Sequence, residues 1–268
     1  MAWIEKISVS KKNPKHFDLH LKDDEGEKVL SVSEESLVKF RLHKGKEISG
    51  LDVEEILYFE EINRALSRAL KALARRMRTE KEIRDDLSAA GFSEGIVREI
   101  LSRLQEKGYV DDGQFAEAFV TEQMSGKDKG PEWIRMALKE KGVKDEIIRS
   151  ALARYTPEEQ LKKAKELCEK LAAKKKNLSV LQLKIHLKET LLRKGFERSV
   201  CDRAVAETDF TGLQLQEDEA LEHAGEKAWF KYRSLPEKER EIKVKQYLYR
   251  KGFPLEKIEK FLQRKKEE

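Results

Sequence analysis

The sequence predicts a mainly α protein, in which tandem three-helix repeats form an elongated curved array after a small three-stranded α/β N-terminal module. Three observations carry this reading. A glycine-centred pattern of apolar residues returns four times after residue 60. Strand-like alternation is confined to the residues before it. Charged residues make up 40 % of the chain and hydrophobic ones 39 %, with five prolines in 268 residues. That balance suits many amphipathic helices, each burying one stripe, better than one large core.

The module occupies residues 1–58. "WIEKISVS" and "HFDLHLKD" alternate apolar with polar residues, the acidic "DDEGE" reads as a turn, and "KVLSVS" follows as a third strand. Ser33 and Ser36 both stand where a helix N-cap is expected before "LVKFRLHKG", and Gly45 stands where that helix stops. Asp52 is read as opening "DVEEILYFEE".

The repeats are placed at residues 59–109, 110–155, 156–210 and 211–268. Their anchors are Gly91, Gly142, Gly195 and Gly252, spaced 51, 53 and 57 residues apart. Eight residues before each stand Ile83, Ile134, Leu187 and Val244, and four before stand Leu87, Leu138, Leu191 and Leu248. These two positions share one helix face. Directly after come Phe92, Val143, Phe196 and Phe253, expected to pack back on the helix just ended. The next helix buries Val97, Ile148, Cys201 and Ile258 at plus six and Leu101, Leu152, Val205 and Leu262 at plus ten. Each glycine supplies the left-handed residue that closes a helix. A further helix precedes each pair, for example "INRALSRALKALARR" and "DGQFAEAFVTEQM". Thr79 with Glu82 has capping-box spacing, and Pro131, Pro157 and Pro236 sit at or near helix starts. Units of this size bury little apolar area alone, so they are expected to lean on their neighbours.

Charge and cysteine usage narrow the function classes. The net charge is +5, and the excess lies after residue 155, where 27 basic residues face 21 acidic ones, against 29 and 30 before it. That leaves room for nucleic-acid contact in the second half. Cys168 and Cys201 lack CxxC spacing, which argues against a zinc site or disulfide framework and for a reducing compartment. Cys201 occupies a repeated core position. No apolar run reaches a membrane span, and "MAWIEKISVSKK" lacks signal-peptide order, so a cytoplasmic protein is expected.

No convergent catalytic set, cofactor loop or metal-ligand spacing emerges. "SGKDKGP" has the wrong order for a phosphate loop, and His16 and His20 share a strand face. The contact candidates are basic. Arg75, Arg76 and Arg78 at a helix end suit an acidic surface or phosphates, or simply complement the helix dipole. Lys174, Lys175 and Lys176 suit phosphates or form a solvated face. Arg193–Lys194 and Arg250–Lys251, with Lys141, recur before the junction glycines as a periodic basic series, or as ordinary helix C-terminal cations. In "KGYVDDGQFA", Gly108, Tyr109 and Phe115 read as turn and packing residues, and Asp111 and Asp112 as caps of the next helix.

The segments "LARRMRTEKEIRDDLSAAGFSEGIV", "KGYVDDGQFAEAFV" and "KGPEWIRMALKEKGV" resemble the RecX family. "WIEKISVSKKN" and "SLVKFRLHKGKEI" resemble the leader of its longer form. The likeness spans nearly the whole chain and is strongest over residues 60–155. Where family members often carry an arginine after "FAEAFV", Thr121 and Gln123 stand here. The resemblance implies a non-enzymatic, cofactor-free monomer that binds RecA–DNA filaments and inhibits the recombinase, touching DNA weakly through phosphates. An independent DNA-binding protein of helix-turn-helix-like units is the alternative.

Overall fold

The alternating N-terminal segments fold as an antiparallel sheet of order β3-β2-β1-β4. In the computed structural model, residues 1–11, 13–23, 26–175, 177–211 and 214–267 are described, apart from the side chains of residues 214–216. The strands are β1 (Ala2–Val9), β2 (His16–Asp23), β3 (Gly26–Ser33) and a short β4 (Glu47–Ile48). Three strands were expected from the alternation. The fourth is only two residues long, too short to show a period, and it pairs with Ala2 and Trp3 of β1. A bulge between Ile4 and Lys6 shifts the register of β1, so that Ile4 and Ile7 both pack on the core. That core joins Ile4, Leu19, Leu21, Val32 and Ile48 of the sheet to Leu42 and Ile56. Of the turn "DDEGE", Asp24 and Glu25 lie outside the described residues.

Helix α1 (Glu34–Lys39) is capped by Ser33, whose hydroxyl accepts from the Ser36 N–H. Ser36 is not a cap; it is buried and donates to Glu60 at 2.5 Å. Nor does Gly45 stop this helix, which closes at Phe40, followed by Arg41 at φ 48°. Gly45, at φ 86°, turns the chain towards β4, its N–H donating to Ile4 O. The next helix, α2 (Gly50–Leu73), starts before Asp52: Ser49 is the N-cap, and Asp52 is the reciprocal partner in a capping box. One continuous helix therefore runs through residue 58, where the sequence pattern places a boundary.

The chain continues through α3 (Glu80–Ala89), α4 (Glu94–Glu106), α5 (Asp112–Gly126), α6 (Pro131–Glu140), α7 (Asp145–Leu152), α8 (Pro157–Ala172), α9 (Val180–Arg193), α10 (Arg198–Glu207), α11 (Gln214–Lys231), α12 (Glu237–Arg250) and α13 (Leu255–Glu267). Two compact units result, Met1–Phe115 with Lys141–Val143, and Ala116–Glu140 with Lys144–Glu268. In the first, Ile62, Ala65 and Ala69 of α2 meet Ile83 and Leu87 of α3 and the buried stripe of α4. In the second, Val244 and Leu248 of α12 pack with Ala220, Leu221, Ile258 and Phe261.

The junction glycines lie in the left-handed region: Gly91 at φ 88°, Gly142 at 81°, Gly195 at 87° and Gly252 at 76°. Leu87, Leu191 and Leu248 each bury a side chain and accept the N–H of the residue after the glycine, at 3.1–3.3 Å. Leu138, four residues before Gly142, is equally buried.

Three of these glycines also lack the room for a side chain. A methyl on Gly142 would lie 2.6 Å from Lys81 Cβ, and one on Gly252 2.9 Å from Ser179 Oγ; one on Gly195 would overlap the backbone of Trp133. In each case the intruder belongs to the start of an earlier helix. The Thr79 hydroxyl donates to Lys141 O at 2.8 Å, and the Ser179 hydroxyl to Lys251 O at 2.6 Å. The Gly130 N–H donates to Lys194 O at 2.7 Å, and the Glu132 N–H to Gly195 O at 3.0 Å. Carbonyls left over at one helix C-terminus thus receive donors from another helix N-terminus. A methyl on Gly91 would meet open space among the described residues.

Alanine substitution separates the two demands. G91A carries only the left-handed penalty, about 1–2 kcal/mol. G195A adds overpacking against Trp133, about 1–3 kcal/mol more. Urea midpoints of the two variants check this; equal losses would remove the close-approach role of Gly195.

Candidate interaction surface

The expected contact residues divide between the two units. Arg75, Arg76 and Arg78 follow α2 in the first. Two of the three are already engaged. Arg76 forms a bidentate pair with Glu82, its Nη1 at 2.9 Å from Oε2 and its Nη2 at 3.3 Å from Oε1. Arg78 is half-buried and donates from Nε to Ala72 O at 3.3 Å. Arg75 alone is exposed without a polar side-chain contact among the described residues.

Glu82 explains why. Thr79 caps α3, but Glu82 does not complete a capping box. Its carboxylate instead takes Arg76 on one side and Lys141 Nζ at 2.6 Å on the other. Burial pushes its carboxyl pKa up. The hydrogen bonds from Arg76 and Lys141, with their charges, outweigh that and hold it at about 2. Lys141, read as one of the basic series, is therefore part of the fold.

The "VDD" pair divides its work. Asp111 Oδ1 accepts the Gly113 and Gln114 N–H groups at the start of α5, at 2.8 and 3.0 Å. Asp112 does not cap that helix; its Oδ1 reaches the Glu80 N–H of α3 at 2.9 Å. In the second unit Glu217 does the same for α9, accepting the Val180 N–H at 2.9 Å. Phe115 is buried, but Tyr109 is 56 % exposed. Gly108, at φ 69°, ends α4, and the residue that packs into the core is the next one, Val110. Where an arginine is common in the family, Gln123 is buried and Thr121 bonds the Glu117 carbonyl.

The second unit holds the other candidates. Lys174 and Lys175 are exposed after α8, and Lys176 lies outside the described residues. Arg193 leans on Thr190 Oγ1 and Arg250 on Gln246 O, both at 3.4 Å, leaving most of each guanidinium open. Lys251 lies over the Tyr247 ring. Lys194 donates to Lys127 O. Burial lowers its pKa, Asp128 opposes that, and Lys129 and Lys170 add to the lowering. The recurrent basic series is thus not chemically uniform. Cys201 is buried beneath Phe196 O, and burial pushes its thiol up to about 11, which keeps it protonated and inert.

One feature escaped the sequence reading. Between the sheet, α1 and α2 runs an open groove of about 1660 Å³. Along it α2 presents Arg64, Arg68 and Lys71, and Arg75 follows just past its end. Steps of four and three residues put Arg64, Arg68 and Lys71 on one helix face. That spacing is legible in the sequence, where the denser run ending at Arg76 and Arg78 follows it.

The Glu82 geometry makes a pH prediction. A depressed carboxyl stabilises the fold above its ordinary pKa of 4.5 and loses that contribution as pH falls towards 2. With its partners partly solvated, the contribution is on the order of 1 kcal/mol. Wild type should exceed E82Q in melting stability at pH 7, and the gap should close between pH 4.5 and 2. A gap unchanged across that range would show that the charge of Glu82 is immaterial.

Comparison with known proteins assigns the lineage. Residues 65–104 match the family described as RecX, first three-helix domain, and residues 111–152 match its second. The third three-helix domain matches twice, at residues 158–205 and 216–262. The regulatory protein RecX of Geobacillus sp. (strain WCH70) is 41 % identical, over 100 % of this chain and 98 % of the relative. That of Bacillus subtilis (strain 168) is 39 % identical, over 98 % of each. A crystal structure of a regulatory protein RecX superposes with a TM-score of 0.63 at 31 % identity, covering 77 % of this chain and 100 % of that one. RecX from Lactobacillus salivarius gives 0.52 at 33 % identity, over 55 % and 96 %. With its repeats matched in order and its full length covered by such relatives, the chain belongs to the RecX family of regulatory proteins.

Proposed function

We propose that this protein binds RecA–DNA filaments and inhibits recombinase activity in recombination and repair, as a non-enzymatic cytoplasmic monomer that touches DNA weakly through phosphates. The observation that carries this reading is the full-length likeness to proteins named as regulators, at about 40 % identity. Tandem units support it physically, since several weak contacts on one chain add through effective concentration. The residues offered for contact are those with open cations: Arg75 in the first unit, and Lys174, Lys175, Arg193 and Arg250 in the second. Arg76, Arg78 and Lys194 are secondary, because each already serves an internal partner. No helix among the described residues is long and apolar enough to cross a membrane.

Addition of the protein to a cognate RecA on single-stranded DNA with ATP should slow strand exchange or ATP turnover at substoichiometric to stoichiometric ratios. R75E should raise the concentration for half-inhibition about tenfold, equivalent to about 1.4 kcal/mol. It leaves the Arg76–Glu82–Lys141 cluster intact, so folding is unaffected. A folded R75E that inhibits like wild type would remove Arg75 from the interface. Wild-type protein with no effect on RecA in either assay would overturn the functional reading.

A further inference from the structure

The groove between the sheet and α2 is a segregated charge feature. Residues 1–110 carry 21 basic and 21 acidic side chains, yet the groove is lined by seven Lys or Arg and four Asp or Glu. Three of those four acids are internally engaged. Glu60 accepts from the Ser33 N–H, the Ser33 hydroxyl and the Ser36 hydroxyl at 2.5–2.7 Å. Asp86 takes a bidentate pair from Arg68 at 2.9 and 3.0 Å. Glu35 accepts from Asn63. The other cations lack an acid: Arg64 and Lys71 on α2, Arg75 just past its end, and Lys15 and Lys39 opposite are all exposed, and none has a carboxylate partner among the described residues, although the Lys39 ammonium lies 3.8 Å from the centre of the Phe59 ring.

We propose that this groove binds the sugar–phosphate backbone of a single nucleic-acid strand, with the α2 cations on one side and Lys15 and Lys39 on the other. It rests on the phosphate contact proposed above, to which it gives a place, and not on recombinase binding.

The arrangement favours a polyphosphate strand on three counts. From Arg64 to Lys71 the cations extend over about 10 Å along α2, and Arg75 continues the line just past its end, which suits a repeating anion and not a single one. Arg64 and Arg75 are arginines, whose planar fork matches phosphate oxygens. The Arg64 guanidinium lies 5.8 Å from the centre of the Phe92 ring, and Phe92 itself lines the groove, pairing a cation with an aromatic surface as strand-binding channels do. An acidic peptide finds less to hold it. Extended peptides gain affinity from an exposed strand edge. Of the strands, only His16, Phe17 and Ser33 reach this groove, and the Ser33 N–H is already given to Glu60.

The test is fluorescence anisotropy of a fluorescein-labelled oligo-dT with the full-length protein and no RecA, over a salt series. The double variant R64E/K71E should weaken binding at least tenfold. It should also flatten the slope of log affinity against log salt by about 1.4, the counterion release of two phosphate contacts on a single strand. Both residues are exposed and outside any ion pair among the described residues, and circular dichroism with a thermal melt checks the fold. K15E, from the opposite wall, should weaken binding severalfold. The matched reversal K238E/K243E in the second unit should leave it within twofold. Equal weakening by the groove and control reversals, or none by either, would overturn the proposal. Displacement of the strand by oligo-glutamate at equal charge would overturn it too, and would assign the groove to an acidic protein segment. RecA inhibition that survives R64E/K71E does not bear on this outcome, so the two readings fail separately.

Discussion

A helix ends with carbonyl groups that have no partner and begins with N–H groups in the same position. This fold joins those two deficits. At Lys141, Lys194 and Lys251 the last carbonyl of a helix receives a donor from the start of an earlier one. Head-to-tail helix dipoles favour such contacts, and the approach is close enough that only glycine fits beside it. Asp112 and Glu217 add a second tie, each accepting the first N–H of the helix so seated. The left-handed glycines are therefore constrained twice at Gly142, Gly195 and Gly252. The first constraint comes from their own helix and the second from a neighbouring one. The apolar stripes supply most of the burial, but these polar joints fix where one helix may start against another.

Much of this was readable in the letters, because helical burial is periodic and glycine is conspicuous. Leu87, Leu138, Leu191 and Leu248 are buried as their spacing implied. What was not readable were the partners that a side chain chooses across space. Nothing local distinguishes Asp111, which caps its own helix, from Asp112, which caps another. Glu82 stands at capping-box spacing yet turns to Arg76 and Lys141, because a lysine distant in sequence arrives beside it. Tyr109 follows a helix-closing glycine as Phe196 does, but Val110 takes the buried place. Contact candidates suffered most. A run of basic letters reports charge, whereas availability depends on which acids fold next to it.

Electrostatics in this chain is mainly a matter of sorting. With 40 % of residues charged, exposed pairs such as Arg103–Glu99 and Lys245–Glu259 abound, and each adds little stability. Their collective effect is to neutralise most of the surface. Against that background the groove along α2 stands out, since three of its four acids are taken by hydroxyls, a backbone N–H, an amide or one arginine. The shared helix also matters here. Because α2 runs unbroken from Gly50 to Leu73, one rigid rod carries both the wall of the groove and the buried stripe of the helical core. Polar and apolar faces are fixed relative to each other by helix geometry alone.

The residue just before the second helix of each repeat is in turn Thr79, Gly130, Ser179 and Pro236. The first three give a hydroxyl or amide hydrogen to a later repeat. Proline has neither, and Pro236 caps α12 without any side-chain bond. In the language of polymers, three of the four monomers carry a coupling group and the fourth is a chain stopper. With no hydrogen to give at Pro236, the series of joints stops within the chain at three.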